Sequence, residues 1–142
     1  MAEFRLSNFT SGAVLTAAEL NTGLTYASYT PVWTQSTTIT NTLNLARYTQ
    51  FGKLVIAQIQ LTATTAGTNG EKITITLPVN ASTNNKVLGM GYFRDLPRFA
   101  LYDSSTTFAI GLPLTAANGL TNTTGQTLNG NICTYQLTYE AA

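Results

Sequence analysis

Nucleophilic catalysis needs a hydroxyl or thiol with a base beside it, and this sequence offers many of the first and few of the second. Thr occurs 27 times and Ser 7 times, Cys133 is the single thiol, and histidine is absent. Lysine is then the remaining base, and no Ser-x-x-Lys spacing occurs in the chain. Glycosidic cleavage needs two carboxylates flanking a bond, drawn here from Glu3, Glu19, Glu71, Asp95, Asp103 and Glu140. Glu19 belongs to a helix cap and Asp103 opens a turn. Asp95 lies between Arg94 and Arg98, where an ion pair is the simpler use. No Asp-x-Asp or histidine cluster offers a metal site. Gly89-Met90-Gly91 is no phosphate loop, because Tyr92-Phe93 continue as strand where a helix would have to begin. The expectation is a non-enzymatic chain with no catalytic set, no cofactor and no metal.

Charge narrows the partners. Charged residues make up 9% of the chain, with a net charge of +1, against about a quarter in ordinary soluble domains. The seven cations, Arg5, Arg47, Lys53, Lys72, Lys86, Arg94 and Arg98, are spread singly, so no basic stripe offers itself to phosphates and no nucleic-acid partner is expected. Solubility falls to Thr, to the 12 Asn and to Ser. No apolar run approaches the roughly 18 residues of a membrane span, so no membrane insertion is expected. The N-terminus lacks the apolar run of a signal peptide and Cys133 has no intrachain partner, so synthesis is expected in a cytosol.

The elements that must position any site are strands. Thr is β-branched and favours strands, while Asn and Ser favour turns, so the composition predicts an all-β fold. Residues 1–28 stand apart as an N-terminal arm with one short helix. Thr16 to Glu19 reads as a capping box, Leu15 and Leu20 as its staple, and Gly23 as its C-cap. From residue 29 to 142 the period is two. Val55, Ala57, Ile59 and Leu61 share one face and Leu54, Ile56, Gln58 and Gln60 the other; Cys133, Tyr135, Leu137 and Tyr139 line one face of the last strand. The pattern predicts strands at 30–35, 44–50, 54–62, 72–77, 86–93, 98–102, 106–112 and 132–140, with turn signals between them. An antiparallel two-sheet sandwich of jelly-roll type fits this spacing better than a closed barrel. Trp33 and Cys133 read as core.

Three segments carry a resemblance when taken in order: Tyr29-Thr-Pro-Val-Trp33, Ala46-Arg-Tyr-Thr-Gln-Phe-Gly-Lys-Leu-Val55 and Ile73-Thr-Ile-Thr-Leu-Pro-Val79. With Phe9 to Asn21 before them, they resemble the small β-domains of tailed-bacteriophage tail-fibre and related virion proteins, over the chain to about residue 79. The resemblance implies a structural component of a virion, made in the cytoplasm of a bacterial host. It also implies a homotrimer whose N-terminal segment joins other virion proteins. The chain departs from long fibres in having no coiled-coil, collagen-like or β-helix shaft.

Phe4, Leu6, Phe9, Leu15, Leu20 and Leu24 are the apolar groups the arm offers for virion attachment. Leu54, Ile56, Leu88 and Met90 are candidates for a subunit interface, because their strands carry apolar groups on both faces. The loops are almost uncharged, and Asn69, Asn84, Asn85, Tyr92, Tyr102, Asn118 and Asn122 are candidates for binding a receptor such as a host surface glycan. Three functions remain open on these residues: a trimeric tail-associated host-recognition module, a capsid decoration or head-fibre protein, and a free carbohydrate-binding module.

Overall fold

A computed structural model describes the backbone of residues 3–4 and the full structure of residues 25–111 and 123–142. These residues form β1 (Glu3–Phe4), β2 (Ala27–Ser28), β3 (Trp33–Gln35), β4 (Thr37–Ile39), β5 (Asn41–Phe51), β6 (Leu54–Ala63), β7 (Thr74–Thr76), β8 (Val87–Phe93), β9 (Leu96–Ser104), β10 (Thr107–Gly111) and β11 (Ile132–Glu140). No helix occurs among the described residues; the helix expected near residues 16–23 lies outside them.

The strands make one sheet in the order β1-β5-β6-β11-β8-β9-β10-β7-β3-β4, with β2 also pairing β5. Every pairing is antiparallel except that of β1 with β5. The expected division into two hydrogen-bonded sheets is therefore replaced by one continuous ladder. It packs in a sandwich-like way because it curls. Trp33 on β3 meets Phe93 on β8 edge to face at 6.1 Å, and Phe108 on β10 meets Tyr135 on β11 at 5.3 Å. These strands are three or four places apart in the sheet, so only strong curvature brings their inner faces together.

Curling encloses the alternate residues of each strand. Val55, Ala57, Ile59 and Leu61 of β6 and Cys133, Tyr135, Leu137 and Tyr139 of β11 are all buried, as their period-two spacing requires. Ile73, Ile75, Phe108, Ile110 and Trp33 close the core from the other half. Tyr139 satisfies its hydroxyl by donating to the Val79 carbonyl at 2.8 Å.

A buried amide fastens the loops at one end. The Gln35 side chain is fully enclosed; its Nε2 donates to the carbonyls of Glu71 and Gly125, and its Oε1 accepts from the Thr127 amide, each at 2.9 Å. Gly67 lies directly over it, where a Cβ would fall 2.2 Å from Gln35 Oε1. The segment 123–131 is tied to residues 67–71 by these bonds and by those of the Gly67 and Gly70 amides to the Thr127 and Thr124 carbonyls.

Two expectations are corrected here. Leu88 is 1% exposed and belongs to the core. A register shift between Val87 and Gly89 inverts the strand's phase, so Leu88 turns inward while Met90 and Tyr92 turn outward. Asp95 makes no ion pair among the described residues; it and Arg94 form the two-residue tip of the β8–β9 hairpin, at φ 60° and 56°. The described ion pair joins Lys72 to Asp103, whose Oδ2 also accepts from the Thr107 hydroxyl across the β9–β10 turn.

Candidate functional site

The outer face of the sheet is built by the residues that alternation leaves behind. On β6 these include Ile56, Gln58 and Gln60, on β11 Thr134 and Gln136, and on β8 Met90 and Tyr92. Antiparallel register then sets them in two rows. One row reads Met90, Gln136, Gln58, Arg47 across β8, β11, β6 and β5; the next reads Tyr92, Thr134, Gln60, Leu45. Between the rows runs an open groove of about 330 Å³, lined by Leu45, Gln58, Met90, Gly91, Tyr92, Thr134 and Gln136. Among the described residues no lining side chain is charged.

Glycine shapes one wall. A Cβ at Gly91 would fall 1.9 Å from the Thr134 carbonyl oxygen, and one at Gly89 would fall 2.1 Å from that of Gln136. β8 therefore lies against β11 more closely than any side chain allows at these positions. Met90 and Tyr92 stand on either side of Gly91 with 58% and 59% of their surfaces exposed.

The polar floor has a defined sense. Arg47 Nε donates to Gln58 Oε1 at 2.9 Å. Arginine only donates, so this bond fixes the amide orientation and leaves the Gln58 NH2 as a donor. The Arg47 guanidinium itself lies over the Tyr26 ring, 4.5 Å from its centroid. Gln60 Nε2 reaches Thr134 Oγ1 at 3.4 Å. Gln136 is exposed and its amide bonds no described group.

Four buried groups are held in their neutral forms, and one of them, Tyr135, lies beneath the groove. Burial pushes the Cys133 thiol well above its usual range. Burial does the same to the phenols of Tyr29, Tyr135 and Tyr139; like-charge neighbours add to the shift at Tyr29, while the bond to Val79 partly opposes it at Tyr139. Among the described residues no three His, Cys, Asp or Glu side chains gather as a metal site, and no helix is long and apolar enough to cross a membrane.

The residues singled out from the sequence are only partly gathered. Phe4 lies in β1, opposite Phe51 of β5; Leu6, Phe9, Leu15, Leu20, Leu24, Asn118 and Asn122 lie outside the described residues. Leu54 is exposed and Ile56 half-buried, next to each other on the outer face of β6, but Met90 is two strands away in the groove. Asn69 and Asn84 are exposed on separate loops. Asn85 is occupied, donating to the carbonyls of Ser82 and Glu140 and accepting from the Glu140 amide. Tyr102 packs against the core. Tyr92 alone of the described loop candidates lines the groove, and its companions Gln58, Gln136 and Leu45 were not anticipated as a site. The signal present was the outward phase of Gln58, Gln60 and Gln136; their alignment depended on register.

Comparison of the chain with models of protein families, with curated proteins and with solved structures finds no match in any of the three.

Proposed function

We propose that this protein is a non-enzymatic structural component of a tailed-bacteriophage particle. In this reading it is a homotrimeric, tail-associated host-recognition module, attached to other virion proteins by its N-terminal arm. The two facing halves of the curled sheet act as the layers of a jelly-roll-like head, and a short helix near residues 16–23 belongs to the arm. Support comes from the ordered sequence resemblance and from one structural observation, the character of the exposed surface. Eleven large hydrophobic side chains among the described residues are more than a third exposed, including Leu43, Leu54, Val87, Met90, Tyr92 and Leu96. With charges at 9% of the chain, this exposed apolar surface supports a place among neighbouring molecules. Of the expected subunit interface, Leu54, Ile56 and Met90 remain on the surface, the first two clear of the groove.

The groove favours recognition over capsid decoration, because a protein that only coats a shell has no use for the exposed Gln136 amide and the remaining Gln58 donor beside an exposed tyrosine. Light scattering on the purified chain tests the assembly: a trimer mass is expected, and a clean monomer at micromolar concentration refutes it. Deleting residues 1–25 is expected to leave a folded head that no longer joins the particle.

A further inference from the structure

We propose that the outer groove binds a neutral saccharide, with the Tyr92 ring against the apolar face of a pyranose and the Gln58 and Gln136 amides on its hydroxyls. The inference rests on the recognition reading and names the ligand class and the residues.

Dimensions come first. Tyr92 and Leu45 are separated by three strand spacings, about 14 Å, and the two rows are about 7 Å apart, the distance between alternate residues of a strand. That is a trough one sugar ring wide and a short oligosaccharide long. Its volume of about 330 Å³ falls at the small end of the roughly 300–1,000 Å³ of known ligand sites.

Chemistry selects among ligands that fit. An anion finds no counter-charge in the lining, and the nearest guanidinium, on Arg47, is engaged by Gln58 and the Tyr26 ring. A wholly apolar ligand would cover the Gln58 NH2 and the Gln136 amide without giving them partners, which is unfavourable. A sugar hydroxyl both donates and accepts, so it can receive from the fixed Gln58 NH2 and pair either way with Gln136. The C–H face of the same ring matches the apolar body of Tyr92, whose exposure leaves that surface free. A Cβ at Gly91 would meet the Thr134 carbonyl and the buried Tyr135 ring, so glycine there lets β8 lie close against β11 beneath the groove.

The test uses the full chain, isotope-labelled, and follows the side-chain amide and tyrosine ring resonances during four separate additions. These are methyl α-D-glucopyranoside, methyl α-D-mannopyranoside, methyl β-D-galactopyranoside and N-acetyl-D-glucosamine, each to millimolar concentration. At least one is expected to shift the NH2 groups of Gln58 and Gln136 and the ring of Tyr92, leaving the exposed Asn80 still. Tyr92→Ala and Gln136→Ala, both at exposed positions, are expected to weaken that sugar by about tenfold, and Asn80→Ala to leave it unchanged. The proposal is overturned if none of the four moves these resonances, or if Tyr92→Ala binds as well as the original. It is also overturned if the same resonances move with protein concentration alone, which would make a second copy the occupant. Incorporation into the particle is scored separately. A silent groove in a chain that enters particles removes this inference and keeps the virion reading, whereas sugar binding by a chain that never enters them does the reverse.

Discussion

Replacing Gln35 by Leu keeps the volume of a fully buried side chain and deletes three hydrogen bonds, which makes it a sharp probe of what holds the loops of this sheet together. The substitution leaves the Glu71 and Gly125 carbonyls and the Thr127 amide without their partner. A buried polar group left unpaired costs about 1–3 kcal/mol. Glu71 and Gly125 are exposed residues whose carbonyls regain water, while Thr127 is fully buried and its amide regains little. The total is therefore about 2–4 kcal/mol rather than the full threefold sum. For a chain of this size that corresponds to a fall in Tm of about 10 °C. Scanning calorimetry on Gln35→Leu beside Gln136→Leu is the assay, since the second change is at an exposed amide that bonds no described group and is expected within about 0.5 kcal/mol of the original. Equal melting of the two variants would refute the claim that Gln35 clamps residues 67–71 to residues 123–127.

Three further outcomes follow from the same geometry. Gly91→Ala forces a Cβ against the Thr134 carbonyl and is expected to cost about 2 kcal/mol or more in denaturant unfolding, because backbone on both sides has to yield. Asp95→Gly relieves a left-handed residue at the second position of the β8–β9 tip, where φ is 60°, and is expected to stabilise by about 0.5 kcal/mol after the added flexibility of the unfolded chain is counted. Burial raises the folded-state pKa of Cys133, Tyr29, Tyr135 and Tyr139, so their neutral forms favour the fold. Their contribution is complete below the unfolded values, about 8.5 for a thiol and about 10 for a phenol, and declines as pH rises beyond them. Denaturant unfolding across the alkaline range is expected to show that decline. Tyrosinate absorbance of these three phenols should appear only with loss of the β-sheet circular dichroism signal; tyrosinate from all seven tyrosines in a folded chain would contradict it.

The sequence disclosed most about strands with uninterrupted alternation. β6 and β11 were legible to within a residue, down to which side chains face inward, because burial of one face imposes a period of two. β8 was legible as a strand but not in phase: Leu88 and Met90 look equivalent in sequence, and the bulge between Val87 and Gly89 separates them. β4 and β2 are only two or three residues long and carry no pattern of their own. The Arg94-Asp95 turn was missed because a two-residue hairpin of this kind is normally signalled by glycine or asparagine. The groove was invisible for a related reason. Gln58 and Gln136 are 78 positions apart, and what places them side by side is the register of β6 against β11, which hydrophobic pattern constrains only in parity.

Mass spectrometry of purified phage particles, from the host in which this chain is naturally made, tests the central claim most directly. Peptides from the head, such as the tryptic peptide from Leu54 to Lys72, are expected in intact tailed particles at multiples of three copies and in the tail fraction after particles are disrupted. Their absence from particles, with the chain remaining free in the lysate, would contradict a virion role altogether.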